Sequence, residues 1–284
     1  MLKAAVMLVL ASGAAVLAGD KSAGCGKTPT ITTKTYTVAV NGKQRQYHVK
    51  VPDSYDNGRP YKLIFTFHEL SGSMDRVVKG GNGRGQPDAY YGLPPLANNS
   101  AIFVVPNGTG ASNNLGWPNS GGEDVTFFDQ MLKTVSTDLC VDLGLVFSTG
   151  FSYGGAISYA LACARPDAVR AVAVLSSGTL SGCSGGTKPV AYYGQHGTND
   201  DVLNVGGGRG MRDKFVKNNG CQPLSKEPAP NGDTSVKTQY TGCKEGYPVT
   251  WVIHSGKHDP IKKDQGSSVP FAPKNSWEFF SQFT

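Results

Sequence analysis

The sequence predicts an α/β fold: a mostly parallel central sheet with helices on both faces, entered through an N-terminal antiparallel hairpin. Three observations carry this. Short β-branched and aromatic runs alternate with segments whose apolar residues recur at helical spacing. Asn41-Gly42 separates two alternating segments, Tyr36–Val40 and Gln44–Val51, and Asn-Gly is the dipeptide that two-residue hairpin turns favour. Finally, Leu145–Thr149 runs into Gly150-Phe151-Ser152-Tyr153-Gly154 and then a small-residue helix start, the strand–turn–helix context of a nucleophile elbow.

Taken in order, Lys62–His68 reads as a continuous apolar strand of the kind buried on both faces of a sheet. Ser71–Asn99 is rich in Gly, Pro and Asn and reads as too polar for core; Ala101–Pro106 is the next buried strand. Asp124–Leu139 repeats Val125, Phe128, Met131, Leu132 and Val135 at helical spacing, with acidic Glu123 and Asp124 near its start. The strand feeding the elbow is followed by a helix over Tyr153–Ala164, and Val169–Ser176 and Val190–Gln195 are further strands. Met211–Asn219 reads as helix, Val249–Ile253 as the last strand and Asn275–Phe283 as an amphipathic closing helix. No internal repeat is visible.

The chain has 284 residues, 39% of them hydrophobic, enough for one large core. Lys3 and the apolar stretch to Ala18 read as a secretory signal peptide over residues 1–18, ending in Val16-Leu17-Ala18. Residues 19–284 are expected to form one catalytic domain. The apolar stretch is shorter than the ~20 residues a membrane span needs, and no later segment is long and apolar enough, so no membrane association is expected. Six cysteines without a Cys-x-x-Cys pair agree with an oxidising compartment and argue against a zinc or redox site. Cys221 and Cys243 are the expected pair, clipping a polar excursion that holds Pro223, Pro228 and Pro230. Asn98-Asn99-Ser100 and Asn107-Gly108-Thr109 are glycosylation sequons. The net charge of +6 is scattered rather than striped, which disfavours a nucleic-acid partner.

Gly182-Cys183-Ser184-Gly185-Gly186 also fits Gly-x-Ser-x-Gly but leads into a strand-like segment, so context selects Ser152 as nucleophile. A serine hydroxyl needs a base, and the base an orienting carboxylate. In an α/β-hydrolase the order is Ser, acid, His, each on a loop at the carboxyl end of a strand. Of five histidines, His258 fits order and position, with His254 next. His68 is expected to shape the oxyanion loop and His196 to fix the loop it opens, while His48 belongs to the hairpin. Asp200 and Asp201 both follow a strand between residues 152 and 258, whereas Asp167, Asp213 and Asp233 do not. The oxyanion donors are expected to be the Tyr153 N–H and an N–H of the loop after the third strand, with Leu70 favoured. Trp117 is a candidate wall of an acyl slot and equally a candidate core residue.

On these motifs the chain resembles the fungal type D feruloyl esterases, also called feruloyl esterase C, of carbohydrate esterase family 1. The likeness spans essentially the whole mature chain. It rests on Ser22–Lys27, Tyr91–Leu96, Gly122–Phe128 with Asp129, Val146–Gly155, Ala191–Thr198 and Pro270–Pro273. The resemblance implies the α/β-hydrolase fold and hydrolysis of the ester joining ferulate or p-coumarate to arabinoxylan, through an acyl-enzyme. It also implies that Asp200, fourth after the histidine of His-Gly-Thr-x-Asp, is the acid. The related oxyanion loops often have Gly or Pro where Glu69 stands. No metal, organic cofactor or protein partner is expected. An acetylxylan esterase or polyester depolymerase would use the same triad, and a catalytically silent carbohydrate-binding relative is a further alternative.

Overall fold

The computed structural model describes residues 20–81, 87–110 and 114–284; the signal peptide expected over residues 1–18 lies outside them. Nine strands form one sheet in the order β1-β2-β4-β3-β5-β6-β7-β9-β8. Their ranges are β1 Lys34–Val40, β2 Lys43–Lys50, β3 Tyr61–Phe67, β4 Ala101–Pro106 and β5 Val141–Phe151, then β6 Ala171–Leu175, β7 Ala191–Gly197, β8 Val236–Gln239 and β9 Val249–His254. The six central strands run parallel. The β1–β2 hairpin closes on Asn41-Gly42, with Val40 paired to Lys43, and joins β4 antiparallel.

Six α-helices accompany the sheet: α1 Met74–Lys79, α2 Leu93–Ala97, α3 Glu123–Asp138, α4 Tyr153–Ala164, α5 Val205–Asn218 and α6 Phe271–Ser281. Residues that alternate along each strand feed two cores. Leu63, Phe65 and Phe67 pack with Phe128, Ile157 and Phe215 under α3, α4 and α5. Ile64, Phe103, Phe147 and Tyr193 pack with Met74, Leu93 and Phe280 under α1, α2 and α6. Burial on both faces is why these strands read as unbroken apolar runs. Arg45, almost wholly buried on β2, ties the hairpin to α3: its Nη2 donates to Asp124 Oδ1 at 2.9 Å and the guanidinium lies over Phe127.

Two expectations need correction, and one strand was not anticipated. The Ser71–Asn99 stretch contributes to the core, because Met74, Val77, Tyr90, Tyr91 and Leu93 are buried; its apolar residues sit on short helices and a 3-10 turn rather than on one periodic segment. The unanticipated strand is β8, which lies within the polar excursion between Cys221 and Cys243 and pairs antiparallel with β9. α5 begins at Val205, ahead of the expected Met211, through a glycine-rich turn capped by Asn204, whose side chain accepts from Gly206 N–H. Disulfides join Cys25 to Cys140, Cys163 to Cys183 and, as expected, Cys221 to Cys243.

Candidate active site

Ser152 follows the last residue of β5 and precedes α4 with φ 55° and ψ −118°, a backbone that an L-residue adopts only under constraint. The constraint is visible on both sides. Ser152 N–H donates to Leu175 O of β6 at 2.9 Å, and Ser177 Oγ donates to Ser152 O at 2.6 Å. The turn also needs a bare backbone at Gly154, where a Cβ would come within 2.1 Å of Phe67 O. Small residues after the serine therefore let α4 sit against the end of β3. The twelve-residue helix directs its partial positive N-terminus at the serine.

Behind the elbow Tyr91 is buried. Its hydroxyl donates to Phe67 O at 2.6 Å and accepts from Phe151 N–H at 3.2 Å, joining the ends of β3 and β5. Burial pushes this phenol far above its ordinary range, so it remains a donor.

Asp200 and His258 lie on loops after β7 and β9. His258 Nδ1–H donates to Asp200 Oδ2 at 2.8 Å, and its ring packs on Phe151, with centroids 4.5 Å apart. Asp200 Oδ1 accepts from the N–H groups of Val202 and Leu203 at 3.0 and 2.8 Å. His196 Nε2 lies 3.2 Å from Asp200 Oδ2 and donates to Leu203 O at 2.8 Å; burial lowers its pKa. The neighbouring Asp201 instead points to solvent, paired with Lys257 Nζ at 3.0 Å, which holds its carboxyl below the usual range. His254 is wholly buried against Phe271, and burial takes it down to about 4. Among the described residues the Ser152 hydroxyl has no hydrogen-bond partner.

The loop after β3 reaches the elbow from the other side. His68, wholly buried, donates from Nδ1 to Glu69 O at 2.7 Å and accepts at Nε2 from Gly108 N–H at 2.9 Å. Both bonds suit a neutral ring, and burial lowers its pKa to about 4. Glu69 O also receives Gly72 N–H, while the Glu69 carboxylate pairs with Arg76. Leu70 follows, and among the described residues neither its N–H nor that of Tyr153 donates a hydrogen bond. The two residues are near each other: a Cβ at Gly116 would meet the Tyr153 ring at 2.7 Å and Leu70 Cδ1 at 3.3 Å.

Trp117 does not line an open slot, and that expectation is corrected. It is 0% exposed, edge-on to Phe67, with Nε1 donating to His68 O at 2.8 Å. An indole in a loop needs a partner for its N–H when buried, and here the partner is the carbonyl of His68, which introduces the loop after β3. Of the sequons, Asn98 is exposed at the end of α2. Asn107 is half-buried, with its Oδ1 accepting from Met74 N–H at 3.0 Å. Among the described residues no group of three or more His, Cys, Asp or Glu side chains is arranged to hold a metal ion.

A mostly parallel sheet covered on both faces, with a constrained serine at the end of β5 and a histidine–aspartate pair on the loops after β7 and β9, is the architecture of the α/β-hydrolase class. Feruloyl esterase D of Neurospora crassa is 53% identical to this chain over 282 residues, 98% of this chain and 96% of that protein. Feruloyl esterase C of Emericella nidulans is 48% identical over 263 residues, 92% of each chain. The solved structure of acetyl xylan esterase from Aspergillus awamori shares the fold, with a TM-score of 0.61 at 15% identity over 87% of this chain and 99% of that one. No protein-family model matches the chain. The chain belongs to the feruloyl esterase family, and it is an esterase.

Proposed function

We propose that this chain is a secreted feruloyl esterase that releases ferulate and p-coumarate from plant cell-wall arabinoxylan through Ser152, Asp200 and His258. The observation that carries the reading is the 2.8 Å bond from His258 Nδ1 to Asp200 Oδ2, made by a ring seated on Phe151 beside Ser152. With Nδ1 engaged, Nε2 is the nitrogen left to take a proton. As Ser152 Oγ attacks the ester carbonyl carbon, its proton passes to His258 Nε2 and the carbonyl π pair moves to oxygen. That oxyanion takes hydrogen bonds from the Tyr153 and Leu70 N–H groups. The tetrahedral centre then collapses and the arabinosyl oxygen leaves with the proton from His258, so ferulate stays esterified to Ser152. Water, losing a proton to the same imidazole, attacks the acyl carbon; the serine oxygen then leaves with that proton from His258, which frees ferulic acid and restores the Ser152 hydroxyl and the neutral ring. Asp200 holds the ring and stabilises its cation in both half-reactions.

Secretion is supported by the Met1–Ala18 sequence and by three disulfides that reduced cytosol would not sustain. We assign residues 19–284 to one catalytic domain, and of the sequons the exposed Asn98 is the better placed for a glycan. The test is product analysis on feruloylated arabinoxylan beside acetylated xylan. Ferulate release is expected to dominate; equal or greater acetate release would overturn the assignment in favour of an acetylxylan esterase.

A further inference from the structure

Three large aliphatic side chains stand in solvent on the loops that surround Ser152: Leu70 after β3, Leu180 after β6 and Val202 after β7, exposed by 49%, 48% and 65%. Of the other exposed large aliphatics, Leu96 and Leu143 lie on α2 and β5 and Leu224 follows α5, while Val269 ends the connection after β9, next to α6 and remote in sequence from His258 on the same connection. Isolated exposed leucines are ordinary, whereas apolar groups gathered around a site mark a binding surface.

The three are linked through fixed backbone rather than through mobile tips. Ser181, next to Leu180, donates from Oγ to Trp117 O at 2.7 Å and accepts at its carbonyl from Asn119 Nδ2 at 3.0 Å. This ties the Leu180 loop to the segment carrying Gly116, whose Cα faces both the Tyr153 ring and Leu70. On the other side, a Cβ at Gly178 would lie 3.8 Å from Leu203 Cδ2, so the loops after β6 and β7 touch. Val202 and Leu203 are themselves held by their N–H bonds to Asp200 Oδ1. The aliphatic rim is therefore anchored to the same carboxylate that orients His258.

We propose that Leu180 and Val202, with Leu70 across the elbow, form the surface on which the aromatic ring of the acyl group lies. The assignment rests on the feruloyl reading above. An ester bound for attack has two arms, and they differ in chemistry. The pentose arm is covered in hydroxyls and needs polar partners, which these side chains lack. The hydroxycinnamoyl arm is a flat apolar plane with polar groups at its far edge, and aliphatic CH groups against its face remove apolar area from water on both partners. A cavity of 170 Å³ elsewhere on the carboxyl side is lined by Tyr91, Leu175, Ile261 and Ser276. It lies behind the His258 loop and is lined by none of Ser152, Tyr153 or Leu70, so it does not continue from the oxyanion donors as the rim does.

The test compares kcat/KM for methyl ferulate and methyl acetate, which share a leaving group and differ in the acyl arm. Leu180→Ala and Val202→Ser are expected to lower the ferulate-to-acetate ratio by about threefold to tenfold each, mainly through KM for ferulate. Leu224→Ala, an exposed leucine far from the elbow, should keep the wild-type ratio. All three positions are exposed, so melting temperatures should stay at the wild-type value, and that measurement separates lost contact from lost fold. If the wild-type chain prefers ferulate and both rim variants keep its ratio, the rim assignment is overturned while the feruloyl reading stands. If the wild-type chain shows no ferulate preference, the feruloyl reading itself falls and takes the rim with it.

Discussion

Asp200 makes more directed contacts than its small side chain suggests: two backbone N–H groups on one oxygen, His258 on the other and His196 close by. On the proposed reading, Asp200→Asn replaces an acceptor by a donor opposite His258 Nδ1, and kcat is expected to fall by about 10⁴-fold. Asp201→Asn removes only an exposed pair with Lys257 and should change kcat/KM by less than about threefold. Steady-state rates on methyl ferulate check both, and the reverse ranking would mean the acid is misplaced. Ser152→Ala and His258→Ala should each cost at least as much as Asp200→Asn, with the double variant little worse than either, because the groups act as a unit. At Trp117, the Phe variant keeps ring packing but leaves the His68 carbonyl without its indole partner. Its melting temperature should fall modestly and its kcat more than its KM, since on the proposed reading the loop it holds supplies an oxyanion donor. The Ala variant should cost about 3–5 kcal/mol in stability, measured by denaturant unfolding.

At the scale of elements, the elbow is the joint on which the rest depends. Gly154→Ala would drive a methyl into Phe67 O and force α4 away from β3. Circular dichroism should show a lowered melting temperature, and active-site titration with a serine-directed phosphonate should show little or no labelling. Much of this region was legible beforehand. The strand Ala101–Pro106 and the helix Tyr153–Ala164 have the bounds that their residues suggest, because an unbroken apolar run and a small-residue helix start each have one physical reading. Ser152, Asp200 and His258 could be nominated from order and loop position, but the His258–Asp200 bond and the seating of His258 on Phe151 could not, since they form only once three crossovers are folded. Tyr91 and the core role of Ser71–Asn99 were hidden for a different reason. Tyr90 and Tyr91 adopt left-handed backbones, and no periodicity signals a residue whose burial depends on such a turn. β8 has an alternating half-buried pattern over only four residues, too short to stand out from the polar excursion around it. Trp117 carried two readings in the sequence, and the choice between them depended on whether its N–H had a partner indoors.

For the whole molecule, two conditions should govern stability. His68 and His254 are both pushed down to about 4 by burial, against 6.5 for a free imidazole. Between these values the unfolded chain binds more protons than the folded one, so stability is fully present above about pH 6.5 and falls as the pH drops toward 4. Each histidine contributes up to about 3 kcal/mol to that loss. Denaturant midpoints measured from neutral to acidic pH should decline across this window, and a flat profile would contradict neutral buried rings. Reduction gives the second condition. Cys25–Cys140 spans 115 residues, whereas Cys163–Cys183 and Cys221–Cys243 span 20 and 22. Loop-closure entropy makes the long link the most stabilising, by about 1.5 kcal/mol over either short one. Replacing Cys25 and Cys140 together by alanine should lower the melting temperature more than the same change at Cys221 and Cys243.

The Tyr91 hydroxyl bears on how such an enzyme can be altered. It clasps the ends of β3 and β5 from underneath, while Leu180 and Val202 stand on the loops above. On the proposed reading, the elbow is braced from below by Tyr91, whereas the side chains that would meet the acyl group project from the loops that hold Asp200. A library confined to the side chains of Leu180 and Val202, which leaves the backbone bonds of Val202 and Leu203 to Asp200 in place, is expected to diversify which acids are accepted without loosening that scaffold. Tyr91→Phe would do the opposite, stranding a carbonyl and an amide beneath the serine and degrading every substrate alike.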